Sequence, residues 1–320
     1  MRLRTHVSHV QFNSSSSEGE EAEDGCWQPD SGDEDAGGTR IARPAPALVE
    51  CAPRPQNLTH VELACALLDA EVAHTAAPKL QPADLTADWM RDGGLSQPVV
   101  VDGGPGVDEA LGMKMPAALR SDGTPASLVL PRLLNYLPAD TPVPNFDVAT
   151  QSENEPLALL DFVAYFSDSR RDHLLNVVSL SLAGTRLEEV LSAPQVVREA
   201  DLVASAWPPG TSKRPEVQLY VLASPSGSFT DFHLDFGGSS VWYRIVTGRK
   251  VFMVAPPTPH NLRAFVRWAS SSRQSREFLG AALENVHRFT VTAGQLLLIP
   301  GGCVLSASGC ELAKSQTARR

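Results

Sequence analysis

No stretch of this chain approaches the apolar length that a membrane span requires. None of its five cysteines, Cys26, Cys51, Cys65, Cys303 and Cys310, stands at CxxC spacing from another. That absence argues against a zinc finger and fits reduced intracellular thiols. A basic excess is also missing. The formal net charge is −10, so the molecule as a whole has no generic attraction to nucleic acid or anionic lipid. No sequence-specific DNA contact is evident, and no membrane partner is expected. The opening MRLRTHVSHVQFNSSSSEGEE has no apolar core of the kind a secretory leader carries. No internal repeat is found. With 320 residues, 42% of them hydrophobic, the chain can bury one large domain or two modest ones.

Residues 1–55 are polar and acidic, with Ser14–Ser17 leading into EGEEAEDGCWQPDSGDEDAGG. They read as a disordered tail, either plainly solvating or a phosphorylated arm for a basic partner. Residues 56–205 read as a helical and mixed section. HVELACALLDAEVA from residue 60, the runs at 128–137 and 157–166, and the stretch from Thr185 to Trp207 have helical spacing. PVVV at 98–101 and residues 176–184 read as strands. From residue 206 to 305 the character turns to β, with short runs separated by Gly, Pro or Ser and one helical insert at 260–280. A helical entry followed by many short strands points to an α+β sandwich or small barrel dressed with helices.

The most informative run is Thr230-Asp231-Phe232-His233-Leu234-Asp235-Phe236-Gly237-Gly238. In a strand, residues i and i+2 face the same way, so His233 and Asp235 project together. That is two thirds of a 2-His-1-carboxylate facial triad, which leaves open positions on iron(II). An HxD pair alone is weak, since most such pairs are surface pairs. Gly237 and Gly238 permit close backbone approach, or simply a bulge.

The longer stretch TDFHLDFGGSSVWYRIVTGRKVFMVAPPTPHNLRAFVRWASSSRQSREFLG resembles the JmjC core of histone lysine demethylases, in the plant-homeodomain-finger and F-box subgroup. LGMKMP (111–116), residues 174–203, RPEVQLYVLAS (214–224) and TAGQLLLIPGG (292–302) agree in the same order. The resemblance implies a double-stranded β-helix, the jelly-roll or cupin-like JmjC barrel, with flanking helices. It implies Fe(II) held by His233 and Asp235. It implies 2-oxoglutarate as cosubstrate, its far carboxylate paired with Lys250 and hydrogen-bonded by Thr230 and Tyr243, with Asn176 facing it from a neighbouring strand. Each has a plainer reading: Lys250 as a turn lysine, Tyr243 as core, Asn176 as a strand-end cap. The implied reaction is oxidative N-demethylation of a histone-tail lysine in a nuclear chromatin protein, with other proteins supplying the targeting to the nucleosome.

One ligand is missing from the pattern. Where the family has a second histidine, this sequence reads Ile299-Pro300-Gly301-Gly302-Cys303-Val304-Leu305. The ligand position falls on Leu305, which cannot coordinate iron. Residues 306–320 no longer resemble the family, so the last barrel strand is expected to be absent and an edge left open. Cys303, on the same face as Leu305, is a soft-ligand alternative, and His260 and His287 are alternatives by residue type. Weak iron binding and poor turnover are expected. Two other readings stay open: a catalytically inactive JmjC-shaped module that binds histones or chromatin proteins, and a protein side-chain hydroxylase.

Overall fold

The computed structural model describes residues 77–120, 123–168, 170–208, 219–272, 274 and 277–309. The expected acidic tail over 1–55, the helix expected from residue 60 and the residues from 310 onward lie outside these.

Fourteen strands are described. They are β1 (Lys79–Leu80), β2 (Val99–Val101), β3 (Pro142–Val143), β4 (Phe146–Asp147), β5 (Ser152–Glu153), β6 (Leu157–Ala158), β7 (Leu175–Ser181), β8 (Tyr220–Ala223), β9 (Phe229–Leu234), β10 (Val241–Arg244), β11 (Arg249–Ala255), β12 (His287–Thr292), β13 (Leu296–Ile299) and β14 (Val304–Ser308). Eight α-helices accompany them: α1 (Ala87–Arg91), α2 (Val107–Ala110), α3 (Ala126–Val129), α4 (Leu159–Ser167), α5 (Arg186–Val190), α6 (Gln195–Ala200), α7 (Leu202–Ala206) and α8 (Pro259–Ala269).

Three four-stranded sheets organise the chain, in the orders β1-β2-β13-β10, β12-β11-β14-β9 and β5-β4-β7-β8. The central strands are apolar on both faces. Every residue of β13 is buried, as are all of β11 after Arg249, because each lies between two neighbours with cover above and below. One core gathers Val241, Tyr243, Phe252, Val254, Leu297, Ile299 and Leu305 from the first two sheets. A second, on the opposite side of β11, joins Val251 and Met253 to Ala264 and Trp268 of α8. This arrangement is an α+β assembly of mixed sheets and helices, consistent with the expected jelly roll.

Helix boundaries follow local chemistry. Thr258 caps α8, its hydroxyl accepting from the Asn261 N–H, and Pro259 opens the helix where its missing N–H costs nothing. The Asn261 side chain, fully buried, donates to the carbonyls of Pro256 and Glu284 and accepts from the Glu284 N–H. It thereby ties α8 to the chain entering β12. The single helix expected over 128–137 is instead α3 followed by a 3-10 segment, Leu130–Asn135. Pro131 is the reason, since it cannot donate to the preceding turn. The helical stretch from Thr185 is cut into α5, α6 and α7, with Pro194 preceding α6 and the Asp201 side chain capping α7.

β14 pairs on both sides, with β11 and with β9. It runs on to Ser308, past the boundary expected at Leu305. β8 and β10 are each the last strand of their sheet among the described residues. Both line one cavity of about 250 Å³, floored by Leu130, Leu133 and Leu187, with Gly309 and Lys250 at its wall.

Candidate metal and cosubstrate site

His233 stands on β9 and Asp235 immediately beyond it, in extended backbone. His233 Nε2 lies 3.9 Å from Asp235 Oδ1. The imidazole Nδ1 lies 2.8 Å from the carbonyl oxygen of Asp231. A carbonyl can only accept, so Nδ1 carries the proton and Nε2 presents its lone pair toward the carboxylate when the ring is neutral. Metal-ligating histidines are oriented in this way.

Asp235 is 4% exposed, and neither of its oxygens has a hydrogen-bond partner among the described residues. Burial raises its pKa to about 6, with the neighbouring His233 acting in the opposite direction. A buried carboxylate without donors is costly, and a cation between it and the imidazole would remove that cost.

The turn after Asp235 needs its glycines for conformation. Gly237 and Gly238 have φ of 64° and 63°. A Cβ on either would meet nothing within 4 Å, so within the chain itself their requirement is the backbone conformation. The tight contact falls at Gly301, where a Cβ would sit 2.6 Å from the Gly238 carbonyl oxygen.

The partner of His233 in register on β14 is Leu305, 1% exposed. Directly paired residues share a face, so the leucine side chain stands beside the imidazole. The same row continues through Val254 of β11 to His287 of β12. His287 is therefore three strand spacings from His233, about 14 Å at ~4.8 Å each, beyond reach of a shared ion. His260 is turned away, its Nε2 3.1 Å from the carbonyl oxygen of Ala282. Burial first, and the Asp235 charge second, push the Cys303 thiol up to about 12, so without a bound cation it stays protonated at neutral pH. Among the described residues no three His, Cys, Asp or Glu side chains come together to hold a metal. The donor set thus suits iron(II) in kind, one imidazole and one carboxylate, and falls one short in number.

The remaining expected residues are joined in a way their spacing does not reveal. Between Leu305 and Ala307 the β9–β14 register shifts, so that Ala307 pairs with Thr230. In a regular strand Thr230 and His233, three apart, would face opposite ways. The bulge brings both to the face of Leu305 and Ala307. Thr230 Oγ1 accepts from Asn176 Nδ2 at 3.0 Å. Asn176 lies on β7 and is 1% exposed. Its Oδ1 accepts from Ser224 Oγ at 2.7 Å, and Ser224 Oγ accepts from Lys250 Nζ at 3.4 Å. Lys250 is buried on β11, and burial alone lowers its pKa to about 8. It has no ion pair among the described residues, a state that suits an incoming carboxylate. Tyr243, on β10, is buried with its ring 5.2 Å from that of Phe252. It lines the same cavity as Lys250. Burial, then the Asp235 charge, holds its hydroxyl well above the ordinary phenol range, so it stays a donor.

Ser224 is the member that sequence reasoning missed. Its only signal is its place one residue past β8, in the run that already resembled the family.

A His–Asp pair, its carboxylate buried, and a buried ammonium stand on one set of sheets. No family model matches the chain. Individual relatives do match. It is 35% identical over 226 residues to the histone lysine demethylase PHF8 of Danio rerio. It is 33% identical over 236 residues to lysine-specific demethylase 7A of Mus musculus, and 39% identical over 173 residues to the JmjC domain-containing histone demethylation protein 1 of Mycosarcoma maydis. These alignments take in 69%, 72% and 51% of this chain but 20%, 24% and 26% of the relatives. The chain is thus a homologue of JmjC histone lysine demethylases of the PHF and JHDM1-like group, and it spans about a quarter or less of their length.

Proposed function

We propose that the chain is a JmjC-type oxygenase domain that binds iron(II) through His233 and Asp235 and 2-oxoglutarate through Lys250, and acts poorly, if at all, on methylated histone lysine. The carrying observation is the pairing of two uncompensated buried charges, the Asp235 carboxylate beside an imidazole and the Lys250 ammonium at a cavity wall. Each suits an incoming charge of opposite sign. When bound, iron(II) would activate dioxygen, one oxygen atom oxidising the 2-oxo acid to succinate and carbon dioxide and the other hydroxylating an N-methyl group, whose hemiaminal would release formaldehyde.

The chain's own residues have narrower tasks. His233 keeps its proton on Nδ1 through the Asp231 carbonyl and offers Nε2. Asp235 offers a carboxylate, which burial holds largely protonated below about pH 6 while no cation is bound. Lys250, Thr230 and Tyr243 give the far carboxylate of the diacid its counter-charge and donors, and Asn176 orients Thr230. The apolar cavity walls exclude water around that carboxylate. The substrate and setting follow the relatives: a methylated lysine on a histone tail, in the nucleus, with other chromatin proteins directing it. One observation favours a second reading, a non-catalytic chromatin-binding module. Leu305, in register opposite His233, is apolar and packs there as core.

Formaldehyde release from mono- and dimethylated histone peptides decides between them. The unaltered chain is expected to release little, and Leu305→His more. Robust turnover by the unaltered chain would refute the impaired site. Failure of Leu305→His to bind iron any better would favour the binding module.

A further inference from the structure

The hydrogen-bonded chain Lys250–Ser224–Asn176–Thr230 has a fixed polarity. An ammonium can only donate. The Ser224 hydroxyl must therefore accept from Lys250 Nζ, and its single proton goes to the oxygen that faces it, Asn176 Oδ1. The amide is then committed the right way round, with Nδ2 donating to Thr230 Oγ1. Thr230, already an acceptor from the amide, keeps its own hydroxyl proton for something else.

We propose that Ser224 is a positioning residue that sets both ends of this chain as donors toward a carboxylate. It holds the Lys250 ammonium at the wall and, through Asn176, makes Thr230 a donor instead of an acceptor. Four strands or strand ends contribute one group each: β7 gives Asn176, the end of β8 gives Ser224, β9 gives Thr230 and β11 gives Lys250. Without the Ser224 hydroxyl nothing decides which way the Asn176 amide faces, and Thr230 can turn its proton inward to Oδ1. The pocket would keep its shape and lose part of its preference for an anion. The inference rests on the reading of Lys250 as the diacid's anchor, and the test separates the two.

Calorimetric titration under nitrogen gives the affinity for Fe(II) alone and then for 2-oxoglutarate with iron present. Ser224→Ala is expected to weaken 2-oxoglutarate about tenfold, the scale of one hydrogen bond in a charged network, and to leave the iron affinity unchanged, with a modest fall in melting temperature because buried Asn176 Oδ1 loses its partner. Ser224→Thr, which keeps a hydroxyl, retains the 2-oxoglutarate affinity. Ser224→Ala and Asn176→Ala together lose little more than either alone, because they break one chain. Equal losses of iron and 2-oxoglutarate by Ser224→Ala would mark a merely structural role and overturn the proposal, as would no loss at all. Lys250→Met is the control on the underlying reading. If it leaves 2-oxoglutarate binding intact, or if the unaltered chain binds none, the anchor reading falls and Ser224's role falls with it. If Lys250→Met abolishes binding while Ser224→Ala does not weaken it, only the role of Ser224 is lost.

Discussion

Asp235 and Lys250 are each buried at a cost to the folded state, and that cost can be measured. The Asp235 pKa is raised above the ordinary 3.8 to about 6, so the folded chain holds this proton more tightly than the unfolded one. Stability therefore falls as pH rises from about 4 to about 6, and the loss is complete above about 6. The magnitude is on the order of 3 kcal/mol, at about 1.36 kcal/mol per tenfold in proton affinity. Asp235→Asn is expected to melt higher than the unaltered chain at pH 7 in chelator, with the gap closing near pH 4. A gap that persists at pH 4 would contradict this. Lys250 carries the opposite sign. Its pKa is lowered to about 8 from 10.5, so its penalty is present at neutral pH and relaxes as pH rises through 8 toward 10.5. Lys250→Met is expected to raise stability at pH 7 by ~1–3 kcal/mol. Stabilisation together with loss of 2-oxoglutarate affinity is the mark of a residue kept for binding.

At the scale of elements, β14 decides how complete the site is. It brings Leu305 opposite His233 and, through its register shift, sets Thr230 on the same face. Leu305→Ala is expected to cost ~2–5 kcal/mol, as for other buried leucines. Leu305→His buries an imidazole among Val254, Phe252 and Ile299. It should melt below the unaltered chain in chelator and regain stability on adding iron(II), a metal-dependent rise that Leu305→Ala cannot show. Gln151 bears on the same strand from outside. Held at φ 55°, it donates from Nε2 to the carbonyl of Phe229 and accepts at Oε1 from the Asp231 N–H. The strands around the site, β9 to β13, were legible as short runs bounded by Gly, Pro or Ser, and the 3.9 Å approach of His233 to Asp235 accords with their i, i+2 spacing. The bulge was not legible, because it is a property of pairing with β14, more than seventy residues later in the chain. The side chains that meet across β7, the end of β8, β9 and β11 were not legible either. Pairing order is non-local, and neither Ser224 nor Gln151 carries a chemical type that marks it in a sequence. The helix over 128–137 failed locally, at Pro131.

Among the described residues, the elements are held by apolar contact and by buried polar ties. One such tie is an ion pair: Arg244 of β10 donates from Nε and Nη2 to Asp108 Oδ1 of α2, at 2.9 and 2.8 Å. Asp108→Ala leaves a buried guanidinium without its carboxylate and is expected to cost about 3–5 kcal/mol in denaturant unfolding. Arg244 also borders the cavity between β8 and β10, so the loss should register there first, as faster amide exchange in β10 than in β13. The most direct test of the site brings iron(II) and 2-oxoglutarate together with the protein under nitrogen. The measurement is the visible charge-transfer absorption that a chelated 2-oxo acid gives on iron(II). A weak band is expected from the unaltered chain at high iron, a stronger one from Leu305→His, and none from Asp235→Ala or Lys250→Met. A band that survives in Asp235→Ala, or that is absent even from a folded Leu305→His, would show that His233, Asp235 and Lys250 do not share one metal and one diacid.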